Sequence, residues 1–243
     1  MISTVISFST LEIRFFPALI REVEKFCTDI IIVAYDHFFD GSKENTALLN
    51  DLQEKYPSLI WQICKWDDQH DSKHWHNNAR WTGAVHAKNS KVLFLDADEI
   101  PDGDLMAKWL KYEPLEAYPL YMFTCYWYFR DPTYQATKTE WCGLLADMSK
   151  IKKEMIFTHY ERWFYMIYPV PYKAFCTLNG AVMFNHYSWV RTKEEMLTKV
   201  KSWAHRNDCP WVDLVEQEFT HEFNGKDFVH GYSYNNVLNI FDL

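Results

Sequence analysis

The chain has 243 residues, 48% of them hydrophobic, and a formal net charge of -8. That length buries a sizeable core and fits one large α/β domain, while the acidic balance and the lack of a basic stripe exclude nucleic acid as a main partner, since phosphate binding needs Lys and Arg gathered on one face. No run approaches the roughly 20 apolar residues of a membrane span, and six cysteines without a CxxC or other metal-site spacing point to free thiols in a reducing compartment.

The opening "MISTVISFST" has no basic region, and Ser and Thr interrupt its apolar residues, so no signal peptide is expected and a cytoplasmic protein is. "TVISFS" predicts a first strand. "LEIRFFPALIREVEKFC" carries Leu11, Phe15, Leu19, Val23 and Phe26 at helical spacing, with Pro17 tolerated if the helix starts near it or kinks there. "DIIIVAYD" is a continuous apolar run, as in a strand covered on both faces of a parallel sheet. The turn "HFFDGS" leads to a helix "KENTALLNDLQEKY" ended by Pro57, and "SLIWQICKW" is the third strand. A helix over roughly Ser72 to Lys88 and the strand "KVLFL" complete the first half. This βαβαβαβ rhythm predicts a mostly parallel sheet flanked by helices, with ligands beyond the carboxyl ends of the strands. Asp36 ends the second strand and Asp96 the fourth, so both are expected at that crevice.

After Pro101 the pattern changes. A helix "GDLMAKWLKY" precedes aromatic strands "PLYMFTCYWYFR" and "TEWCGLLADMS", expected to be antiparallel. An irregular stretch "THYERWFYMIYPVPY" and a strand "NGAVMFNHYSW" follow. "TKEEMLTKVKSWAHR" predicts an amphipathic helix, with Thr192 as N-cap and Glu195 completing a capping box. The tail "FNGKDFVHGYSYNN" is too aromatic for disorder and is expected to pack on the body. Aromatic residues make up 18% of the chain, with 11 Trp and 15 Tyr; an aromatic core or the grip on a flat, hydroxylated ligand would each account for them.

The stretch "SKVLFLDADEIPDGD" crowds Asp96, Asp98 and Glu99 at the mouth of a strand, where each carboxylate disfavours ionisation of the next unless a cation is present. Three chemistries use such a cluster. A haloacid-dehalogenase-type phosphohydrolase places its nucleophilic Asp-x-Asp near the chain start, with Thr or Val two places after the second Asp, where this chain has Ile100. A nucleotidylyltransferase wants a Gly-rich phosphate loop after the first strand, and "FSTLEIRF" has no Gly. The Asp-x-Asp of a nucleotide-sugar-dependent glycosyltransferase holds Mn²⁺ or Mg²⁺, hard cations that favour carboxylate oxygens and neutralise the departing diphosphate.

"NNARWTGAVHAKNSKVLFLDADEIPDGD" resembles the segment "ARN-x-G…A-x-G-x-x-hLFLDADD" of GT-A-fold glycosyltransferases of the family 2-like group, and the order of elements agrees over roughly the first 105 residues. The resemblance implies a GT-A (Rossmann-like) α/β fold with a smaller antiparallel portion on the acceptor side. Residues 1–243 would then form a single domain, with a nucleotide-sugar-binding half (1–105) and an acceptor-binding half (106–243). It further implies an inverting, metal-dependent transfer from a nucleotide-sugar donor, a UDP-sugar being favoured, to a glycan or other hydroxyl acceptor. By the same resemblance Ser7, Ser9 and Asp36 would face the base, Asp36 accepting from a pyrimidine N3–H. Asp40 is either the true equivalent of Asp36 or the residue of an Asx-turn or helix cap. Arg80 would reach the diphosphate, Asp96 the ribose or a metal-bound water, and Asp98 the metal, with Glu99 a solvated strand-end charge. His186, in "FNHYSW", resembles the family's "H-x-S" element and would be a further metal ligand.

An inverting reaction needs a carboxylate base for the acceptor hydroxyl. The family's usual "ED" pair is missing. Glu161, set between aromatics in "THYERWF", is the first candidate, and Asp147 and Asp131 are the alternatives. Trp127, Tyr128, Trp141 and Trp163 are candidates for an acceptor groove, with strand alternation admitting only one face of "CYWYFR". His70, His74 and His76 form a second His cluster, expected to be a solvated helix start. A non-catalytic nucleotide- or carbohydrate-binding module on the same fold is the competing expectation.

Overall fold

The computed structural model describes residues 1–158, 162 and 168–243. Strand β1 (Ser3–Ser7) is followed by a short 3-10 turn, Thr10–Glu12, and helix α1 (Phe16–Glu24). The long helix expected from Leu11 is thus cut short: the Ser9 side chain accepts from Leu11 N–H and closes the 3-10 turn, and Pro17 sits in the first turn of α1, where its missing N–H does no harm. Strand β2 (Ile30–Tyr35) is buried throughout, as its unbroken apolar run predicts. Helix α2 (Thr46–Lys55) starts at the Asn45 cap rather than at Lys43, because Lys43 bridges back to His37 across the turn.

Strand β3 (Ile60–Cys64), helix α3 (Ser72–His86), capped by Asp71, and strand β4 (Lys91–Asp96) complete the first half. A short strand β5 (Glu99–Pro101), which hydrophobic patterning did not predict, leads into helix α4 (Gly103–Tyr112). The second half holds strands β6 (Leu120–Phe129) and β7 (Asp131–Asp147), helix α5 (Lys153–Thr158), and strands β8 (Tyr172–Cys176) and β9 (Phe184–Trp189). Helices α6 (Lys193–Ser202) and α7 (Trp211–Glu218) and strand β10 (Tyr234–Asn236) follow.

Among the described residues these strands form one sheet, in the order β3-β2-β1-β4-β7-β6-β9-β5, with β10 on β7 and β8 on β6. The first four strands are parallel, and the expected antiparallel pairing of β6 with β7 is present. Strand alternation sends Ile6 and Ile32 to the face covered by α1, α2 and α4, and Val5, Ile31 and Val33 to the face covered by α3 and α5. A third cluster, around Phe129, Trp189, Met196 and Val215, lies under α6, α7 and the tail. The tail packs back as expected: the Asp227 carboxylate accepts from the N–H groups of Val229, His230, Gly231 and Tyr232 and from the Tyr234 hydroxyl. All six cysteines are free thiols. Among the described residues no helix is long and apolar enough to cross a membrane.

Helix α3 is pressed against β1 at Gly83, where an added Cβ would lie 2.2 Å from Cγ1 of Val5. Val5 is β-branched and 1% exposed, so it cannot swing aside. Gly83→Ala is expected to destabilise the fold by about 1–3 kcal/mol through overpacking, seen as a lower urea midpoint. An unchanged midpoint would show that α3 is not seated at this depth.

Candidate functional site

A cleft of ≈ 500 Å³ opens beyond the carboxyl ends of β1, β2 and β4, within the size range of small-molecule sites. Ser7, Ser9, Tyr35 and His37 form one wall. Asp96, Asp98, Arg162 and Lys199 lie along its floor. Trp127, Trp141, Trp203, Trp211 and His230 also line it and make part of it aromatic. Parallel pairing puts Ser7 beside Asp96, and β9 carries His186 between Glu99 of β5 and Trp127 of β6.

The acidic turn is matched charge by charge. Asp98 is 5% exposed. Its Oδ2 lies 2.9 Å from Lys199 Nζ, and its Oδ1 lies 3.4 Å from His186 Nε2. Burial opposes ionisation of Asp98, yet the Lys199 charge and the His186 hydrogen bond hold its carboxyl well below the usual carboxylate range. In return, and again against burial, the hydrogen bond to Asp98 pushes His186 well above an ordinary imidazole. Glu99, fully buried, accepts two hydrogen bonds from Arg162, at 2.8 and 2.6 Å, and one from Asp96 N–H at 3.0 Å. Burial raises its pKa, the Arg162 charge opposes that, and Asp96 adds to it. Asp96, the most open of the three, lies 3.7 Å from Arg162 and 3.8 Å from the buried Arg80.

Lys199 comes from α6, whose start is fixed by the predicted capping box of Thr192 and Glu195. Its Nζ also donates to Ser188 Oγ at 2.8 Å and Ser188 O at 3.1 Å, and lies 3.3 Å from Glu12 Oε1. The other Glu12 oxygen is held by Arg191. Nearer the first strand, buried Glu44 accepts from Ser9 Oγ at 3.0 Å, Thr10 N–H at 3.2 Å and Asn45 N–H at 2.8 Å, which fixes the loop after β1.

Of the expected residues, the structure brings Ser7, Ser9, Asp96, Asp98, His186, Trp127 and Trp141 to the cleft. Arg80 stands just behind Asp96. Asp36 is turned into its own loop, where Oδ1 accepts from Trp66 N–H at 2.9 Å and meets His37 Nδ1 at 2.9 Å; the neighbouring His37 lines the cleft instead. Of the two readings of Asp40, the structure has the Asx-turn: Oδ1 accepts from Ser42 N–H at 2.9 Å and Ser42 Oγ at 2.5 Å. Asp147 must be withdrawn as a base candidate. It pairs across the sheet with Lys91, at the start of β4, roughly 17 Å of strand away from Asp96, and its carboxylate is tied to Lys91 and Lys150. Asp131 lies exposed in the turn that opens β7, away from the cleft. Tyr128 faces the other side of β6, donating to Asn185 Oδ1 and stacking on Tyr187. His70 and His74 stack on each other at the start of α3, and His76 lines the cleft beside Phe39. Glu161 and Trp163 lie outside the described residues.

The expected Mn²⁺ or Mg²⁺ does not fit these side chains as arranged. Such an ion needs free carboxylate oxygens at about 2 Å; of the three expected ligands, Asp98 is engaged by Lys199 and His186 is turned to Asp98, which leaves Asp96, whose Oδ1 has no hydrogen-bond partner among the described residues, as the one open carboxylate. Among the described residues, no three His, Cys, Asp or Glu side chains converge to hold a metal. Sequence reasoning missed Lys199, Glu12 and the pairing of Arg162 with Glu99. One signal was available: Lys199 stands on the buried face of α6 beside Met196 and Val200, a place where a lysine needs a partner.

No protein-family model and no curated protein sequence matches the chain. Solved structures do resemble it. Residues 1–349 of TarS from S. aureus, in complex with UDP-GlcNAc, superpose with a TM-score of 0.50 at 12% identity, covering 90% of this chain and 72% of that one. The glycosyltransferase GlyE of Streptococcus pneumoniae gives 0.45 at 14% identity over 90% of this chain and 63% of its own. HddC of Yersinia pseudotuberculosis, complexed with GMP-PN, gives 0.48 at 12% identity over 73% and 91%. The likeness to TarS establishes the fold: it is the expected GT-A-like architecture, a largely parallel sheet flanked by helices.

The buried bridge between Glu99 and Arg162 is open to direct test. Arg162→Met leaves a buried carboxylate without its main partner and is expected to cost about 3–5 kcal/mol of stability, measured by urea denaturation. Adding Glu99→Gln should restore a large part. A loss below about 1 kcal/mol, typical of a surface pair, would show that this bridge does not hold Glu99.

Proposed function

We propose that the chain is a glycosyltransferase that takes its sugar from a nucleotide-sugar donor, a UDP-sugar being favoured, and passes it with inversion to a hydroxyl of a glycan or glycoconjugate. The observation that carries this reading is the cleft itself. At the carboxyl ends of the parallel strands it joins a wall suited to a nucleoside (Ser7, Ser9, Tyr35, His37), a cationic and carboxylate floor, and a wall of tryptophans.

In this reading the base and ribose lie against β1 and β2, with Asp96 towards the ribose. The diphosphate lies over Arg162, where positive charge can oppose the charge that builds as the diphosphate departs. The acceptor stacks on the indole faces of Trp127, Trp141 and Trp203, which offer flat apolar surface with a polar edge. The sugar carbon is attacked from the side opposite the leaving group, while a carboxylate takes the proton of the acceptor hydroxyl. Glu161, next in sequence to the floor residue Arg162, is the proposed base. In the proposed division of labour, residues 1–105 bind the donor and residues 106–243 the acceptor.

Two measurements test the reading. Calorimetric titration of UDP and GDP should show binding of one nucleotide, and a panel of UDP-hexoses should show slow release of UDP without acceptor. Binding without any release would favour a non-catalytic binding module on the same fold. Once transfer is measured, Glu161→Gln is expected to slow it by about 10²–10⁴-fold with nucleotide affinity unchanged, while Asp147→Asn leaves the rate intact. Full activity in Glu161→Gln would remove that residue from the role of base.

A further inference from the structure

The fold family's expectation of a divalent ion on Asp98 meets an obstacle of definite chemistry. Among the described residues the Lys199 ammonium has four oxygens around it: Asp98 Oδ2 at 2.9 Å, Ser188 Oγ at 2.8 Å, Ser188 O at 3.1 Å and Glu12 Oε1 at 3.3 Å. Two carboxylates, a carbonyl and a hydroxyl form the kind of oxygen set that a hard cation takes, but at distances suited to N–H donors rather than to a metal. The lysine side chain is 8% exposed, so the charge has left bulk water and depends on these partners. Ejecting it to admit a metal would require a second home for a buried ammonium.

Elsewhere on the floor Arg162 is bonded to Glu99 and lies 3.7 Å from Asp96, and the other Asp96 oxygen, 3.8 Å from Arg80, has no hydrogen-bond partner among the described residues. His186, the expected further metal ligand, turns Nε2 towards Asp98 Oδ1. A divalent ion brought to Asp98 would meet the charges of Lys199 and, a little further away, Arg162, a like-charge penalty that low local polarity makes worse. The cations of this cleft are covalently part of the chain.

Resting on the nucleotide-sugar reading above, we propose that Lys199 is the site's built-in cation, standing where a divalent ion would otherwise sit, and that the chain holds the diphosphate of its donor without a metal. In this arrangement Lys199 is a positioning residue. It neutralises Asp98 and Glu12 from beneath, so that an incoming diphosphate does not meet two uncompensated carboxylates there. The divalent ion's task is divided between an ammonium that cancels the acidic turn and a guanidinium that meets the ligand.

The test titrates UDP and GDP calorimetrically into the full chain, once in EDTA and once in Mn²⁺. The expected result is binding of one nucleotide with the same affinity in both. Lys199→Ala should weaken that binding about 10-fold or more in EDTA, because Asp98 and Glu12 then repel the diphosphate without their cation. The same variant should gain a Mn²⁺ site that the unmodified chain lacks, with Mn²⁺ restoring part of its nucleotide affinity. A merely structural lysine would not exchange for a metal in this way. Lys199→Arg, which keeps the charge, should bind in EDTA, and thermal unfolding of each variant identifies one that has failed to fold. Binding by the unmodified chain that appears only with Mn²⁺ overturns this inference and leaves the nucleotide-sugar reading standing. No binding of either nucleotide in either condition overturns that reading, and this inference with it.

Discussion

Asp98 and Glu99 are adjacent in sequence and both buried at the mouth of β4. Neither can keep a charge there unless the fold delivers a cation to it, because removing an isolated carboxylate from water is far more expensive than any packing it could gain. Much of the second half answers that demand. Helix α6 brings Lys199, β9 brings His186, and Arg162 reaches back from the segment after α5. The acidic turn therefore organises the protein around it before any ligand is considered.

The sheet is the frame that makes this delivery possible. Four parallel strands set the carboxyl ends of β1 and β4 side by side, and the antiparallel β7 and β6 continue the same sheet, so that β9 lies alongside β6 and meets β5. The acidic turn is thereby pinned from two directions, by the strand that enters it and by the strand pair that leaves it. The charge pattern and the strand order agree on one place, which is why the cleft forms there and not at the other end of the sheet.

The parallel half was legible in the sequence because local pattern decides it. "DIIIVAYD" and "KVLFLD" can only be covered strands, and Asp96 and Asp98 follow directly from where the second of these ends. What local pattern does not carry is direction and distance. Asp147 ends a strand just as Asp96 does, but β7 runs antiparallel to β4, so its last residue arrives at the other end of the strands, beside Lys91. Trp127 and Tyr128 are both candidates with alternation admitting only one face, and which face it is follows from the pairing of β6, whose register shifts on both sides of Tyr128. Lys199 was hidden for another reason. Its partner Asp98 lies 101 residues earlier, and an amphipathic pattern with many lysines gives each of them the same appearance.

That separation bears on how the protein is made. A chain emerging from the ribosome folds from its beginning, and β1 to β4 have everything needed to pair while the rest is still being synthesised. Asp98 would then wait, charged and hydrated, through about a hundred residues of translation before its ammonium appears. A nascent chain stalled before residue 199 would present the first four strands and an open, acidic floor.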